Sequence, residues 1–332
     1  MTESIDVKVT VGARLRINGQ KVLRFLRKNS TFAVLILLWA VLTIASPHFL
    51  TKDNILNILL QASNIGIMAW AMTLVIIAAE IDLSVGSIEA LAGSTAAVFM
   101  VTLKLPVVFA ILGALAVGIL SGAIAGFFTS KIGMPSFITT LGMLSIARGA
   151  ALIVTGGRAI YGLPNLFKFI GQGKLWIIPF PIIIALIFFI ITWIILKYTR
   201  FGMNIYATGS NPEAARLSGI NPAKIKLAVL IISGAFASVA GMIVASRLNS
   251  GQGTVGTTDN LDVIASVVIG GTSFFGGTGT VAGTMIGVLL VCSINNGLNL
   301  LGVSAYLQDV AIGMLILLAV LLDYLTKAKR TG

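Results

Sequence analysis

The sequence contains very little charge for its length. Only 10% of its 332 residues are Asp, Glu, Lys or Arg, whereas 57% are hydrophobic. A soluble domain carries about 25% charged residues, so this composition excludes an ordinary soluble protein. Long apolar runs recur between residues 32 and 323, and a helix needs about 17–25 apolar residues to cross a bilayer. The composition therefore predicts an all-α polytopic membrane protein.

Residues that hold metals or perform catalysis are also scarce. The chain has one cysteine, Cys292, and one histidine, His48. A single cysteine cannot form an intrachain disulfide, so we expect Cys292 to be a small packing residue. A lone histidine without a second histidine or cysteine nearby does not make a zinc site. Since no nucleophile and base stand in a catalytic pattern, the sequence predicts no enzyme, no metal and no cofactor.

Nucleotide-binding motifs are missing as well. No segment reads G-x-x-x-x-G-K-[ST], the pattern that cradles the phosphates of ATP. GQGTVG at 251–256 fits a dinucleotide fingerprint by its letters, but it follows an apolar span and not a strand of a βαβ unit. We discount it, and we discount GTGTVA at 277–282 for the same reason. If transport by this chain uses ATP, the ATPase is on a separate chain.

The apolar runs divide into about ten predicted spans. With both termini in the cytoplasm, sixteen Lys and Arg residues fall inside and six outside, in accord with the positive-inside rule. The segment at 260–271 is too short to cross alone, so it is predicted to be broken or tilted. The spans are predicted at about 32–46, 55–79, 86–102, 106–129, 136–155, 177–197, 224–247, 260–271, 281–298 and 305–323.

Three regions follow from this division. Residues 1–30 are predicted to be a basic cytoplasmic or interfacial segment. Residues 31–325 form the membrane domain, with a cytoplasmic loop at 198–223, and residues 326–332 form a cytoplasmic tail.

Small residues and a repeated plan mark the membrane domain. Glycines at every fourth position predict close helix packing; they are Gly118, Gly122 and Gly126, then Gly283 and Gly287. Met72–Val98 and Ile264–Leu290 each read as an apolar helix, a Gly/Ser-rich break and a small-residue helix. Transporters are often built from such repeats, so an internal repeat is possible here.

The stretch ATGSNPEAARLSGI at 207–220 predicts a short capped helix between two spans. Ser210 or Asn211 is the predicted N-cap, and Glu213 follows Ser210 at the spacing of a capping box. Gly219 is predicted to end the helix in a left-handed conformation. About two helical turns are not stable alone in water. The helix therefore packs either on the membrane surface or this protein's own loops, or in a groove of a cytoplasmic partner.

Amide side chains follow one face of the second predicted span. Their spacings of three, four and three residues put Asn54, Asn57, Gln61 and Asn64 on the same helix face. A second group near the outer end of the ninth span comprises Asn295, Asn296 and Asn299. Neutral amides donate and accept hydrogen bonds, which suits a path for a neutral, hydroxyl-rich solute. The same groups can instead bind helices to one another, and both interpretations stay open.

Four charged residues lie at or within the predicted spans. Glu80, Asp82 and Glu89 flank the break IDLSVGSIEA, and Arg148 lies inside the fifth span. Asp82 and Ser84 are candidates to cap the helix that follows the break. A charge within a membrane marks either a functional site or a buried structural pair. We favour a structural or gating role for these four.

Several motifs together resemble those of ribose-type ABC sugar permeases. The resemblance runs in order from about residue 50 to residue 325, although Glu80 departs from the family's usual glycine. The similar segments are AAEIDLSVGSI (78–88), TLGMLSIARGAALIVTGGR (140–158), ATGSNPEAARLSGI (207–220), LDVIASVVIGGTSFFGGTGTVAGTMIG (261–287) and NNGLNLLGVSAYLQD (295–309).

This resemblance implies an ABC importer permease fold in a bacterial inner membrane. It implies import of a neutral, ribose-like monosaccharide that an extracytoplasmic binding protein delivers. The implied partners are ATP-binding-cassette ATPase subunits, a second permease copy or paralogue, and the lipid membrane, but not nucleic acid. The implied ATPase-docking residues are Ser210, Asn211, Pro212, Glu213, Ala214, Ala215, Arg216, Leu217, Ser218 and Gly219.

Two alternatives remain beside this interpretation. One is an ion-coupled secondary transporter that uses Glu80, Asp82 and Glu89 as its ion site. The other is an ABC permease for branched-chain amino acids or nucleosides.

Overall fold

A computed structural model of the chain describes residues 30–331. Within this range the chain forms thirteen α-helices and four two-residue strands. The predicted basic segment at 1–30 lies outside the described residues apart from Ser30, so its interfacial role stays a prediction.

The helices follow the predicted spans closely. They are α1 (Ser30–Ala45), α2 (Lys52–Ile77), α3 (Val85–Ala97), α4 (Val107–Phe127), α5 (Ser136–Thr155), α6 (Asn165–Gln172), α7 (Phe180–Tyr198), α8 (Arg200–Ser210), α9 (Pro212–Leu217), α10 (Pro222–Leu248), α11 (Asp259–Ile269), α12 (Val281–Leu300) and α13 (Ala305–Thr331). Helices α3 and α4 each continue into a π-helical turn, at Val98–Thr102 and Phe128–Ile132.

Two small antiparallel ladders lie in the connections. Strand β1 (Ile160–Tyr161) pairs with β4 (Ser250–Gly251), and β2 (Lys174–Leu175) pairs with β3 (Ile178–Pro179).

Seven of the described helices are long and apolar enough to cross a membrane. They are α2, α3 with its π turn, α4 with its π turn, α5, α7, α10 and α12. The chain is therefore a multi-pass helical membrane protein. Helix α11 has 11 residues, which confirms that this segment is too short to cross alone.

Helix α2 is the centre of the bundle. Every residue from Ala62 to Ile77 is buried, and a helix that is apolar and buried on all sides lies in the core of a membrane bundle. Helices α7, α10, α11 and α12 pack around it. By contrast, only 22–28% of the apolar windows of α4, α5 and α7 is buried, and their exposed apolar surfaces are suited to contact lipid.

Glycines let α4 and α10 pack backbone against backbone. A Cβ atom on Gly122 would overlap the Leu230 carbonyl oxygen, and one on Gly118 would overlap the backbone at Gly234. Gly287 allows the same close contact between α12 and α11. These contacts confirm the packing predicted from the four-residue glycine spacing.

Gly122→Ala is expected to destabilise the fold by about 1–3 kcal/mol, because the added methyl group overpacks the α4–α10 contact. Thermal unfolding in detergent measures the change. Gly142→Ala is the matched control, since a Cβ at Gly142 meets no atom within 4 Å. Equal stability of the two variants would contradict the prediction.

The two predicted breaks meet each other in the fold. The Gly277 N–H, in the break before α12, donates to the Ile77 carbonyl oxygen at the end of α2, at 2.9 Å. One turn before Ile77 on α2, the Thr73 hydroxyl lies 2.7 Å from the Thr284 hydroxyl on α12. The breaks therefore form one junction, which fits the common plan of the two segments; the internal repeat itself stays a prediction.

Candidate functional site

Helix α9, between α8 and α10, is capped by the residue that precedes it. The Asn211 Oδ1 accepts hydrogen bonds from the N–H groups of Glu213 and Ala214, each at 3.0 Å, and Pro212 occupies the first helical position. Asn211 is thus the N-cap, whereas Ser210 is the last residue of α8. The predicted capping box is wrong, because Glu213 turns its carboxylate to another partner.

That partner is Arg216, one turn along α9. Its Nη2 lies 2.7 Å from Glu213 Oε1, and its Nε lies 3.2 Å from Oε2. The hydrogen bonds from Arg216, together with its charge, lower the pKa of Glu213 below its ordinary value, so Glu213 is ionised at neutral pH. A bidentate pair at this spacing supports a helix that is otherwise too short.

The end of α9 confirms the prediction for Gly219. This glycine has φ 82°, and its N–H donates to the Arg216 carbonyl oxygen at 3.0 Å. The Ile220 N–H donates to the Ala215 carbonyl oxygen, also at 3.0 Å. This pair of bonds is a Schellman motif. Helix α9 therefore has a defined structure although it has only six residues.

One face of α9 is uncovered. Ala215 is 4% exposed and packs inward, whereas Leu217 is 78% exposed. The side chains of Glu213 and Arg216 are about two-thirds exposed. Packing on this protein's own described residues therefore accounts for only one side of the helix.

The last turn of α8, which leads into α9, contacts the junction of the two breaks. Gly209, near the end of α8, lies so close to Ile77 and Gly277 that a Cβ atom would overlap both backbones. Glu80, in the first break, forms an ion pair with Lys226 near the start of α10. The end of α8 and the start of α10, which flank α9, therefore contact the two breaks.

Asp82 connects the first break to α10. Its Oδ1 accepts from the Ser84 N–H at 2.9 Å and from the Ser84 hydroxyl, while its Oδ2 accepts from the Ser233 hydroxyl at 2.7 Å. Ser84 occupies the N-cap position of α3, but its side chain makes no capping bond. The predicted cap by Ser84 is wrong, because its hydroxyl donates to Asp82.

Glu89 and Arg148 lie on either side of the segment 253–256. Glu89 is fully buried and its Oε1 accepts from the Asn64 amide at 2.9 Å. The Arg148 guanidinium donates to the carbonyl oxygens of Gly253, at 2.7 Å, and of Val255 and Gly256. Within residues 30–331, the ion pairs within 4.0 Å are Glu213–Arg216 and Glu80–Lys226. Arg148 is therefore satisfied mainly by backbone carbonyls.

An ion-coupled secondary transporter would need Glu80, Asp82 and Glu89 in one ion site, but each of them has a different partner. Glu80 pairs with Lys226, Asp82 with two serine hydroxyls, and Glu89 with Asn64. The structure does not bring the three carboxylates into one site.

The predicted amides divide into two groups. Asn54 and Asn296 form a reciprocal pair between α2 and α12, with bonds of 2.9 and 2.8 Å. Asn299 accepts from the Gln308 amide at 2.9 Å, and Asn57 is exposed. These four side chains do not line the cavity described below.

The Asn54–Asn296 pair gives a quantitative prediction. In a double-mutant cycle of Asn54→Leu and Asn296→Leu, we expect a coupling free energy of about 0.6 kcal/mol and at most about 1.7 kcal/mol, as for other hydrogen bonds between membrane helices. Unfolding of the four proteins in detergent measures it. A cycle of Asn57→Leu with Asn296→Leu is the control and should give no coupling. Zero coupling in the first cycle would contradict the assignment.

The other predicted amides share one polar cavity of about 260 Å³. Gln61 and Asn64 reach it from α2, and Asn295 reaches it from α12. The sequence analysis missed three charged lining residues, which are Arg247, Asp259 and Asp262. Asp259 and Asp262 could have been found from the sequence, because two aspartates in an apolar helix too short to cross the membrane are unusual. Cys292 also lines the cavity and is 3% exposed, in accord with its predicted packing role.

Comparison with known proteins gives consistent similarities. The model of the family described as branched-chain amino acid transport system / permease component matches residues 54–320. The ribose import permease protein RbsC of Haemophilus influenzae is 46% identical over 90% of this chain and 94% of its own length. RbsC of Bacillus subtilis is 42% identical, over 90% and 93%. The D-allose transport system permease protein AlsC of Escherichia coli is 39% identical, over 91% and 93%. No solved structure matches the chain.

Proposed function

Because the chain belongs to the family of branched-chain amino acid transport system permease components, we propose that it is the membrane-spanning subunit of an ATP-binding-cassette importer for a neutral, ribose-like monosaccharide. The observation that carries the proposal is the similarity to ribose import permeases from two bacteria over nine-tenths of the chain. ATP hydrolysis then belongs to a partner chain, because this sequence contains no Walker-type motif.

The proposed topology has ten spans in a bacterial inner membrane, with both termini in the cytoplasm. The positions of α1–α5, α7 and α10–α13 support the ten predicted segments, and the distribution of Lys and Arg supports their orientation. In this topology α9 is cytoplasmic, and the polar cavity opens toward the outside.

The proposed ATPase-docking element is the stretch Ser210–Gly219, centred on α9. Its capped structure, its uncovered Leu217 and its contact with the two breaks support this role. Helix α10 begins just after α9 and ends at the cavity. Its 27 residues span about 40 Å at 1.5 Å per residue. Closure of the ATPases would move α9, and α10 would carry that movement to the outer side.

The proposed sugar path follows Asn57, Gln61, Asn64, Asn295, Asn296 and Asn299. The shared cavity supports Gln61, Asn64 and Asn295 most directly. A binding protein would deliver the sugar from outside, and a second permease copy or paralogue would complete the transporter. Glu80, Asp82, Glu89 and Arg148 would act as structural or gating charges.

The description of the family favours one second candidate, an ABC permease for branched-chain amino acids. The test reconstitutes the chain in liposomes with the ATPase and binding protein that co-purify from its native membrane. We expect ATP-dependent uptake of labelled ribose that excess leucine and nucleosides do not inhibit. Inhibition by leucine would favour the second candidate. Uptake without ATP would overturn the importer proposal.

A further inference from the structure

The polar cavity combines buried acceptors that have no hydrogen-bond donor. Asn64 is 5% exposed and donates to Glu89, yet its Oδ1 accepts no hydrogen bond from the described residues. The Asn295 Oδ1 likewise accepts no hydrogen bond from the described residues, although the Asn295 Nδ2 donates to Asp262. A buried acceptor without a donor is destabilising. Both residues line the cavity, so a ligand that supplies hydroxyl or N–H donors is a suitable occupant.

We infer that this cavity is a binding site for a polyhydroxylated molecule of monosaccharide size, formed by one chain alone, in which Asp262 and Asp259 accept hydrogen bonds from the ligand's hydroxyls. The inference rests on the proposed function and adds residues that the predicted path does not contain. A carboxyl group offers several acceptor lone pairs, so Asp259 and Asp262 complement the hydroxyl groups of a sugar.

The charges around the cavity favour a neutral ligand over a cation. The Arg148 guanidinium interacts electrostatically with Glu89 and Asp259, and the Arg247 guanidinium lines the same cavity as Asp259 and Asp262. Positive charge therefore lies near these carboxyl groups, and a free cation gains less here than beside carboxyl groups alone. Across residues 30–331, no group of three or more His, Cys, Asp or Glu side chains is arranged to hold a metal ion.

The cavity wall also offers hydrogen-bond donors, which match the oxygen atoms of a sugar. Gln61 lines the cavity, and its amide has no hydrogen bond to the part of the chain that the structure describes. Arg247 lines it as well and offers donors only. A ligand with hydroxyl groups both donates and accepts, so it can satisfy Asn64, Asp262 and Gln61 together.

The size of the cavity limits the ligand. Its volume of about 260 Å³ lies just below the roughly 300–1,000 Å³ of sites for drug-sized molecules. The cavity is therefore large enough for a single monosaccharide. The lining residues come from α2, α10, α11, α12 and the segment before α11 of the same chain, so the site needs no partner copy.

The test measures ribose binding directly. The full chain is placed in lipid nanodiscs without ATPase or binding protein, and saturation-transfer difference NMR records magnetisation transfer from protein to ribose at millimolar concentration. Leucine at the same concentration is the ligand control. We expect transfer to ribose and none to leucine.

Two variants and one matched control assign the signal to the cavity. Asp262→Asn removes a carboxyl acceptor, and Gln61→Leu removes a donor that makes no hydrogen bond within residues 30–331. Each is expected to reduce the transfer at least fivefold. Asp53→Asn makes the same carboxylate-to-amide change at an exposed position in the first turn of α2 and should keep the full signal. Thermal unfolding verifies that all three variants fold.

Each outcome decides the inference. Loss of signal in Asp262→Asn and Gln61→Leu, with the signal kept in Asp53→Asn, supports it. No transfer to ribose in the unaltered chain overturns it, as does equal transfer in all variants. ATP-driven ribose uptake by the reconstituted complex is measured in parallel. If uptake is intact but the cavity does not bind ribose, only this inference fails; if uptake of ribose is absent, the proposed function fails.

Discussion

Leu217→Lys is expected to reduce co-purification of the ATPase by about 100-fold and to abolish ATP-driven uptake. Leu217 is 78% exposed on the uncovered face of α9. Burial of a leucine at an interface contributes about 1.5–3 kcal/mol, and every 1.4 kcal/mol is about tenfold in affinity. Lysine removes this burial and leaves an ammonium group to desolvate.

Lysine is chosen so that the substitution weakens docking without destabilising helix α9. Lysine is a good helix former, and a positive charge near a helix C-terminus is favourable, so α9 should keep its structure. Leu217→Met is the matched control, because it keeps the apolar volume and should cost less than about 1.5 kcal/mol. Affinity purification with quantification of the ATPase measures the effect. If Leu217→Lys still retained the ATPase, α9 would not be the docking element.

A charge swap of Glu213 and Arg216 gives a second comparison on the same helix. The double variant Glu213→Arg/Arg216→Glu keeps the two partners together, although it opposes the helix dipole. A loss of docking in that protein, with far-ultraviolet circular dichroism unchanged, would show that the ATPase contacts the charged side chains of α9 as well as Leu217.

Arg148→Met is expected to destabilise the protein by about 3 kcal/mol, because it leaves three partly buried carbonyl oxygens without this donor, at about 1 kcal/mol each, the lower end of the cost of an unpaired buried group. The carbonyls belong to the segment 253–256, which Arg148 connects to α5. At about 2–4 °C per kcal/mol, Tm should fall by roughly 6–12 °C. Thermal unfolding in detergent measures it, and hydrogen exchange should rise first in the segment 253–256.

Arg158→Met is the control for the loss of a positive charge, since Arg158 is exposed in the loop after α5. Arg148→Lys tests the geometry: an ammonium group on a flexible stem cannot span carbonyls that a planar guanidinium reaches at once, so we expect little rescue. Wild-type stability in Arg148→Met, or complete rescue by lysine, would show that the segment is held by other contacts.

The sequence was sufficient to predict those structural elements whose formation depends on residues close together in the chain. The ends of α9 illustrate this, since Asn211, Pro212 and Gly219 act on backbone groups two to four residues away. The same holds for the spans, because each apolar run must satisfy its backbone hydrogen bonds as a helix in lipid. The glycine spacing on α4 likewise predicted a close contact, although it did not name α10 as the partner.

Local signals were misleading where two acceptable partners competed. Glu213 fits a capping box by its spacing from Ser210, but its bidentate pair with Arg216 replaces that arrangement. Ser84 fits an N-cap, but the buried Asp82 takes its hydroxyl. A charge-assisted hydrogen bond is about twice as strong as a neutral one, and the sequence alone does not show which partner is within reach.

The sequence by itself determined that this protein is a multi-pass helical membrane protein, and it determined its short capped helix and its family. Only the tertiary structure decided which amides meet each other and which face the cavity. Asn54 and Asn64 share one face of α2, yet the first pairs with Asn296 and the second lies beside Glu89 and Asp262. The physical reason is that helical periodicity defines a direction around one helix, whereas hydrogen bonds in the membrane depend on the helix that packs there. The register between α2, α10, α11 and α12 places Arg247, Asp259 and Asp262 beside these amides, and that register comes from contacts between residues far apart in the chain.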